Sequence, residues 1–212
     1  ISLSKIDYRE THMNEPSWKA ERIRELQQSI SFFSNSNKLE REKWVVRRLL
    51  RALDVDFAES DLSNAPEPVD VAFRGAHFQV KEIPDEGRRR GDEYRNALER
   101  AISADQYSQL LEQYTPIDIS FADIVTRCFE YSTALLAQRK YGPLESKKLD
   151  LLCYFNWKDH HVVSPVEIAT VEAGFRSLAI VSNRYCAVAY ARDDAPDFLK
   201  VNVCHAIEYF EP

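Results

Sequence analysis

One stretch constrains this chain more than any other: Val69-Asp70-Val71-Ala72-Phe73-Arg74-Gly75-Ala76-His77-Phe78-Gln79-Val80-Lys81. Two runs of strand-forming residues flank a Gly-Ala pair, and Gly at the first loop position suits a type II′ turn, so the stretch reads as a β-hairpin. With Gly75 and Ala76 as the loop, Arg74 pairs with His77 and Phe73 with Phe78. Ala72 then pairs with Gln79 and Asp70 with Lys81. Side chains alternate between the faces of a strand. Val69, Val71, Phe73, Phe78 and Val80 therefore cover an apolar face, and Asp70, Ala72, Gln79 and Lys81 share the other. A carboxylate, an amide and an amine converge within about 5 to 8 Å as opposite and diagonal neighbours. Taken alone, the same trio also describes a cross-strand ion pair on a solvated sheet.

What precedes the hairpin reads as helical. Pro16 to Phe33 opens with a proline suited to a first turn and carries Ile23, Leu26, Gln27 and Ile30 as a modest stripe. Ser34-Asn35-Ser36-Asn37 interrupts it, and Asn37 can cap a second helix to about Leu53. The stripe of that helix is Val45, Val46, Leu49, Leu50 and Leu53. Glu42 stands one turn before it, at the edge of the buried face, where a carboxylate is costly without a partner. Val55 to Glu59 reads as a short strand.

Beyond the hairpin, Arg88-Arg89-Arg90 opens a helical stretch to about Tyr114, and Asp118 to Lys140 reads as another helix. Leu149 to Trp157 is a buried strand followed by a loop with His160 and His161, which read as solvated. Val166 to Ala173 reads as a short helix closed by Gly174. Leu178 to Val181, Tyr185 to Tyr190 and His205 to Phe210 read as strands. Residues 1–15 are expected to be a flexible extension, and 16–212 a single domain.

Composition narrows the chemistry. Five glycines in 212 residues argue against a Gly-rich phosphate loop, and no Gly-x-Gly-x-x-Gly or Walker pattern occurs. A net charge of −6 excludes a generally basic nucleic-acid coat. Cys128, Cys153, Cys186 and Cys204 are widely spaced, form no Cys-x-x-Cys pair, and read as core thiols of a reducing compartment. With no apolar run near the ~20 residues of a membrane span, the expected location is the cytoplasm.

Helix, strand, strand with Asp70, strand with Gln79-Val80-Lys81, then helix is an order that resembles the PD-(D/E)xK nuclease superfamily. Asp70 falls at that family's aspartate, Gln79-Val80-Lys81 at its (D/E)-x-Lys, and Glu42 at the helix glutamate of many members. From Met13 onward the chain also resembles a bacterial family of endonuclease-like proteins, domain of unknown function 1780. The matching pieces include Glu40-Arg41-Glu42-Lys43-Trp44-Val45, Asp85-Glu86-Gly87-Arg88-Arg89, Arg176-Ser177-Leu178 and Ala195-Pro196-Asp197-Phe198-Leu199.

The resemblance implies an α/β fold with a restriction-endonuclease-like core, a central mixed sheet flanked by helices. It implies a metal-dependent nuclease, a hydrolase of phosphodiester bonds. Asp70, Glu42, the amide oxygen of Gln79 and the carbonyl of Val80 would bind Mg²⁺ or Mn²⁺, and Lys81 would orient the attacking water. Arg88, Arg89 and Arg90 would grip phosphates of a nucleic-acid partner, DNA before RNA; a homodimer is compatible with this. Gln79 departs from the pattern because it brings no charge. The competing expectation is a nuclease fold that has lost catalysis and serves as a nucleic-acid or protein binding module.

Overall fold

The computed structural model describes residues 15–84, 90–111, 115, 117–138, 141–155, 157, 160–163, 168 and 174–209. These fall into two compact units, one drawn from residues 1–34 and 89–113, the other from 35–88 and 114–212. Residues 1–14 of the expected N-terminal extension and most of the helix expected over Val166 to Ala173 lie outside the described residues, and Glu15, expected in the extension, is helical.

In the first unit, helix α1 (Glu15–Phe32) packs on helix α3 (Arg90–Ser103). Phe33 stacks on Tyr94 with centroids 5.5 Å apart, and Lys19 Nζ donates to the carbonyl of Ala104 at 2.7 Å. The helix expected to run to Tyr114 stops at Ser103, and a 3₁₀ turn follows at Tyr107–Leu110. The side-chain oxygen of Gln109 accepts from the amides of Asp105 and Gln106 at 2.7 and 3.1 Å, offering the backbone a local alternative to a continued helix.

The second unit is built on a mixed sheet of six strands. In spatial order these are β1 (Val71–Phe73), β2 (Ala76–Ile83), β4 (Asp150–Phe155), β6 (Ser177–Val181), β7 (Tyr185–Ala191) and β8 (Ala206–Glu208). The three central strands β2, β4 and β6 run parallel, and the pairs β1–β2, β6–β7 and β7–β8 are antiparallel. All of β4 is buried, as a strand covered on both faces must be. Its alternation divides the core. Leu152 and Tyr154 join the cluster of helix α2 (Lys38–Ala52), and Leu151, Cys153 and Phe155 join that of helix α4 (Phe121–Ala137). An α/β architecture with a central mixed sheet flanked by helices is therefore what the sequence folds into.

The hairpin forms with a different register. Its loop is Arg74-Gly75, so that Phe73 pairs with Ala76, Ala72 with His77 and Val71 with Phe78. Arg74 and Gly75 both take positive φ, 40° and 81°, the backbone of a type I′ turn whose twist matches that of the strands. Each partner is displaced by two positions, so Val71, Phe73, Phe78 and Val80 keep their expected common face while Asp70 moves from Lys81 to Gln79; Val69, expected with them, lies before the strand and packs against the cluster of α4 instead.

The strand expected at Val55 to Glu59 does not form. The outer edge of β1 is taken by Ser63, which exchanges both backbone hydrogen bonds with Ala72 at 3.1 and 2.9 Å. The helix expected from Asp118 begins at Phe121, because Ile117–Ser120 is a strand, β3. Ser120 Oγ accepts from the amide of Asp123 at 3.1 Å and fixes that start. β3 pairs in parallel with β5 (His160–Val163), which places both histidines in a strand rather than a loop. Three cysteines are buried; Cys204, expected in the core, is exposed. Among the described residues no helix is long and apolar enough to cross a membrane.

Candidate functional site

Asp70 sits just before β1, and its own amide donates to the carbonyl of Phe78 at 2.9 Å. The β1–β2 ladder ends there, so the next amide of β2 needs another acceptor. Asp70 supplies it: the amide of Val80 donates to Asp70 Oδ2 at 2.9 Å. The Gln79 side-chain nitrogen donates to the same oxygen. Gln79 is turned that way by Tyr141, whose hydroxyl donates to Gln79 Oε1 at 2.8 Å.

Two lysines complete the surroundings of Asp70. Lys81 Nζ lies 3.6 Å from Asp70 Oδ2 and donates to the carbonyl of Val80 at 3.2 Å. Lys38 Nζ lies 3.3 Å from Asp70 Oδ1 and 3.2 Å from Glu42 Oε1. Lys38 occupies the first position of α2, where the helix dipole disfavours a cation. A Lys-to-Glu pair in that order along a helix is also the weaker orientation. The third partner, Asp70, makes this placement favourable.

Glu42 and Asp70 are buried, with side chains 10% and 4% exposed, whereas Lys38 is 54% exposed. Burial and then the charge of Asp70 hold the Glu42 carboxyl above its ordinary value, and Lys38 and Lys81 offset only part of that. Burial lowers Lys38, but Asp70 and Glu42 outweigh it and leave the ammonium held more firmly in its charged form. Tyr141 is pushed up to about 12, first by burial and then by the charges of Asp70 and Glu67. In front of the lysines lies a pocket of about 300 Å³, lined among others by Asn35, Lys38, Arg41, Glu42, Lys81 and Glu82.

The residues expected at the site are thus distributed as follows. Asp70, Gln79, Lys81 and Glu42 come together. Arg88 and Arg89 lie outside the described residues; Arg90 opens α3, and its side chain is not among those described. Sequence reasoning missed Lys38, Arg41 and Tyr141. Lys38 carried a legible signal, four positions before Glu42 on one helix face. Tyr141 carried none, being 62 positions from Gln79.

Of the donor set expected for Mg²⁺ or Mn²⁺, the oxygens of Asp70 and Gln79 are already engaged. The oxygen of Gln79 accepts from Tyr141, Asp70 Oδ2 accepts two N–H bonds, and the remaining Asp70 oxygen faces Lys38. Hard cations take free oxygen ligands, and here an ammonium group and N–H and O–H donors occupy those of Asp70 and Gln79. Among the described residues no group of three or more His, Cys, Asp or Glu side chains could hold a metal ion.

Comparison with solved structures bears on the same point. The chain is similar to a protein of unknown function, PA4535 from Pseudomonas aeruginosa strain PAO1, which is named a member of the monooxygenase superfamily. Identity is 26%, the TM-score is 0.61, and the match covers 93% of this chain and 97% of that one. No curated protein matches. Together with the missing metal cluster, this corrects the nuclease expectation. The PD-(D/E)xK assignment, the Mg-dependent endonuclease activity and the nucleic-acid partner, DNA or RNA, are not supported. Residues 15–211 match a family described as "Putative endonuclease, protein of unknown function (DUF1780)", and the chain, matched over nearly its whole length, belongs to that family.

Proposed function

We propose that the chain binds a small molecule bearing an oxyanion, a carboxylate or a phosphate, in the pocket between α2 and β2. The observation that carries this reading is the convergence of Lys38 and Lys81, from different elements, on the single buried carboxylate of Asp70. Asp70 is anchored from behind by the amide of Val80, so it gathers the two ammonium groups at the pocket wall rather than entering the pocket itself. The lining carries Lys38, Arg41 and Lys81 against Glu42 and Glu82. An oxyanion meeting these cations makes charge-assisted hydrogen bonds. Lys38, half exposed and shared between two carboxylates, is free to lean toward it. Glu42, held above its ordinary value beside the same pocket, is suited to exchange a proton with the ligand.

The test is a titration of the labelled protein with inorganic phosphate and with citrate, followed by amide resonances. Saturable shifts confined to Lys38–Glu42 and Val80–Glu82 are expected, weakened about fivefold or more in Lys81→Met. Unsaturable shifts spread over the surface, or equal binding by the variant, would contradict the reading.

A second reading follows from the full-length likeness to a protein named a monooxygenase. The occupant of the pocket would then be an oxidisable substrate. Oxygen uptake that depends on an added two-electron donor and is lost with Lys81→Met would favour it over simple binding.

A further inference from the structure

Asp70 can gather the lysines only if its carboxylate keeps one orientation, and a chain of hydrogen bonds running away from the pocket controls that. Tyr141 follows α4 and packs edge-on against Phe175, with centroids 5.9 Å apart. Its hydroxyl donates to Gln79 Oε1 at 2.8 Å, and the Gln79 nitrogen donates to Asp70 Oδ2. Tyr141 is 3% exposed and Gln79 1%, so neither touches the pocket, and water does not replace either partner.

An amide side chain offers two chemically opposite ends. With its oxygen toward Asp70, Gln79 would repel the carboxylate. With its nitrogen there, it fixes Oδ2 against the sheet and leaves Oδ1 to Lys38. The carboxylate of Asp70 only accepts and so favours the nitrogen end, and donation from Tyr141 to the oxygen reinforces that choice from the other side.

We propose that Tyr141 and Gln79 are positioning residues: Tyr141 steadies the Gln79 amide so that it holds Asp70, and through it Lys38 and Lys81, in the geometry that receives a ligand oxyanion. The role in ligand binding rests on the oxyanion reading above; the orientation of the amide does not.

The experiment pairs two readouts on the intact protein, wild type and Tyr141→Phe, which keeps the ring and its contact with Phe175. The first is the pair of Gln79 side-chain NH₂ signals. In the wild type they should be widely separated and slow to exchange, and in Tyr141→Phe they should move together and exchange faster. The second is affinity for inorganic phosphate, which should fall about three- to tenfold, the worth of one neutral hydrogen bond. Gln79→Glu, which keeps an acceptor for Tyr141 but removes the donor to Asp70, should lose affinity at least as far. Unmoved NH₂ signals in Tyr141→Phe would overturn the proposal, as would wild-type phosphate affinity in Gln79→Glu. If the signals move but the wild type binds no phosphate, the oxyanion reading falls and the positioning of Asp70 stands.

Discussion

At the scale of single residues, the site is governed by how burial is shared out. Glu42 is more deeply buried than the lysine that neutralises it, and burial with the Asp70 charge raises its carboxyl above the ordinary 4.5. A carboxyl raised on folding binds more protons folded than unfolded. The stability it supplies is whole below 4.5 and is lost as pH rises through the folded value. Glu42→Gln has no such dependence. Relative to the wild type, its stability in urea should therefore improve as pH rises from 4.5 and level off above the folded value. A difference that stays flat with pH would mean that Glu42 ionises as readily folded as unfolded.

At the scale of elements, the hairpin is held at its far end as firmly as at Asp70. Asp150, the first residue of β4, is fully buried. It accepts from the amide of His77 at 2.8 Å, Arg176 Nε at 3.0 Å and Ser177 Oγ at 2.8 Å, and also from Arg176 Nη2. Arg176 continues to the carbonyl of Gly75 at 2.8 Å, tying the turn to β4 and β6. Asp150→Ala leaves the partly buried Arg176 guanidinium, the His77 amide and the buried Ser177 hydroxyl without their acceptor and should cost about 3 kcal/mol in denaturant unfolding. Gly75→Ala meets no atom within 4 Å, so only its φ of +81° opposes the change. That should cost about 1 to 2 kcal/mol; a neutral result would mean that the turn can take another form.

These elements also show where sequence was a sufficient guide and where it was not. The shared face of Val71, Phe73, Phe78 and Val80 was legible, because alternation survives a displacement of two; that of Val69 was not, because the strand starts only after it. The register was not, because Arg74-Gly75 and Gly75-Ala76 both make acceptable two-residue loops, and the long-range bonds of His77 to Asp150 and of Gly75 to Arg176 leave no local pattern. The strand β4 and the stripe of α2 were legible from hydrophobic pattern. β3 was hidden by its brevity, and Val55 to Glu59 looked like a strand until Ser63 took the edge it needed. At the site, Asp70, Lys81 and Glu42 were legible from spacing, whereas the contacts of Lys38 with Asp70 and of Tyr141 with Gln79 span 32 and 62 positions and leave no local pattern.

At the scale of the whole molecule, the net charge of −6 does not favour anions, so attraction must come from a local arrangement. Among the described residues the pocket wall sets Lys38, Arg41 and Lys81 against Glu42 and Glu82, with Asp70 as a fixed anchor behind. The most direct test is a crystal soaked in selenate and measured at the selenium edge. An anomalous peak within hydrogen-bond reach of Lys38 and Lys81, absent in Lys81→Met crystals soaked alike, is the expected result. A pocket without selenium, with anions only on exposed arginines, would contradict the assignment of Lys38 and Lys81 as an oxyanion site.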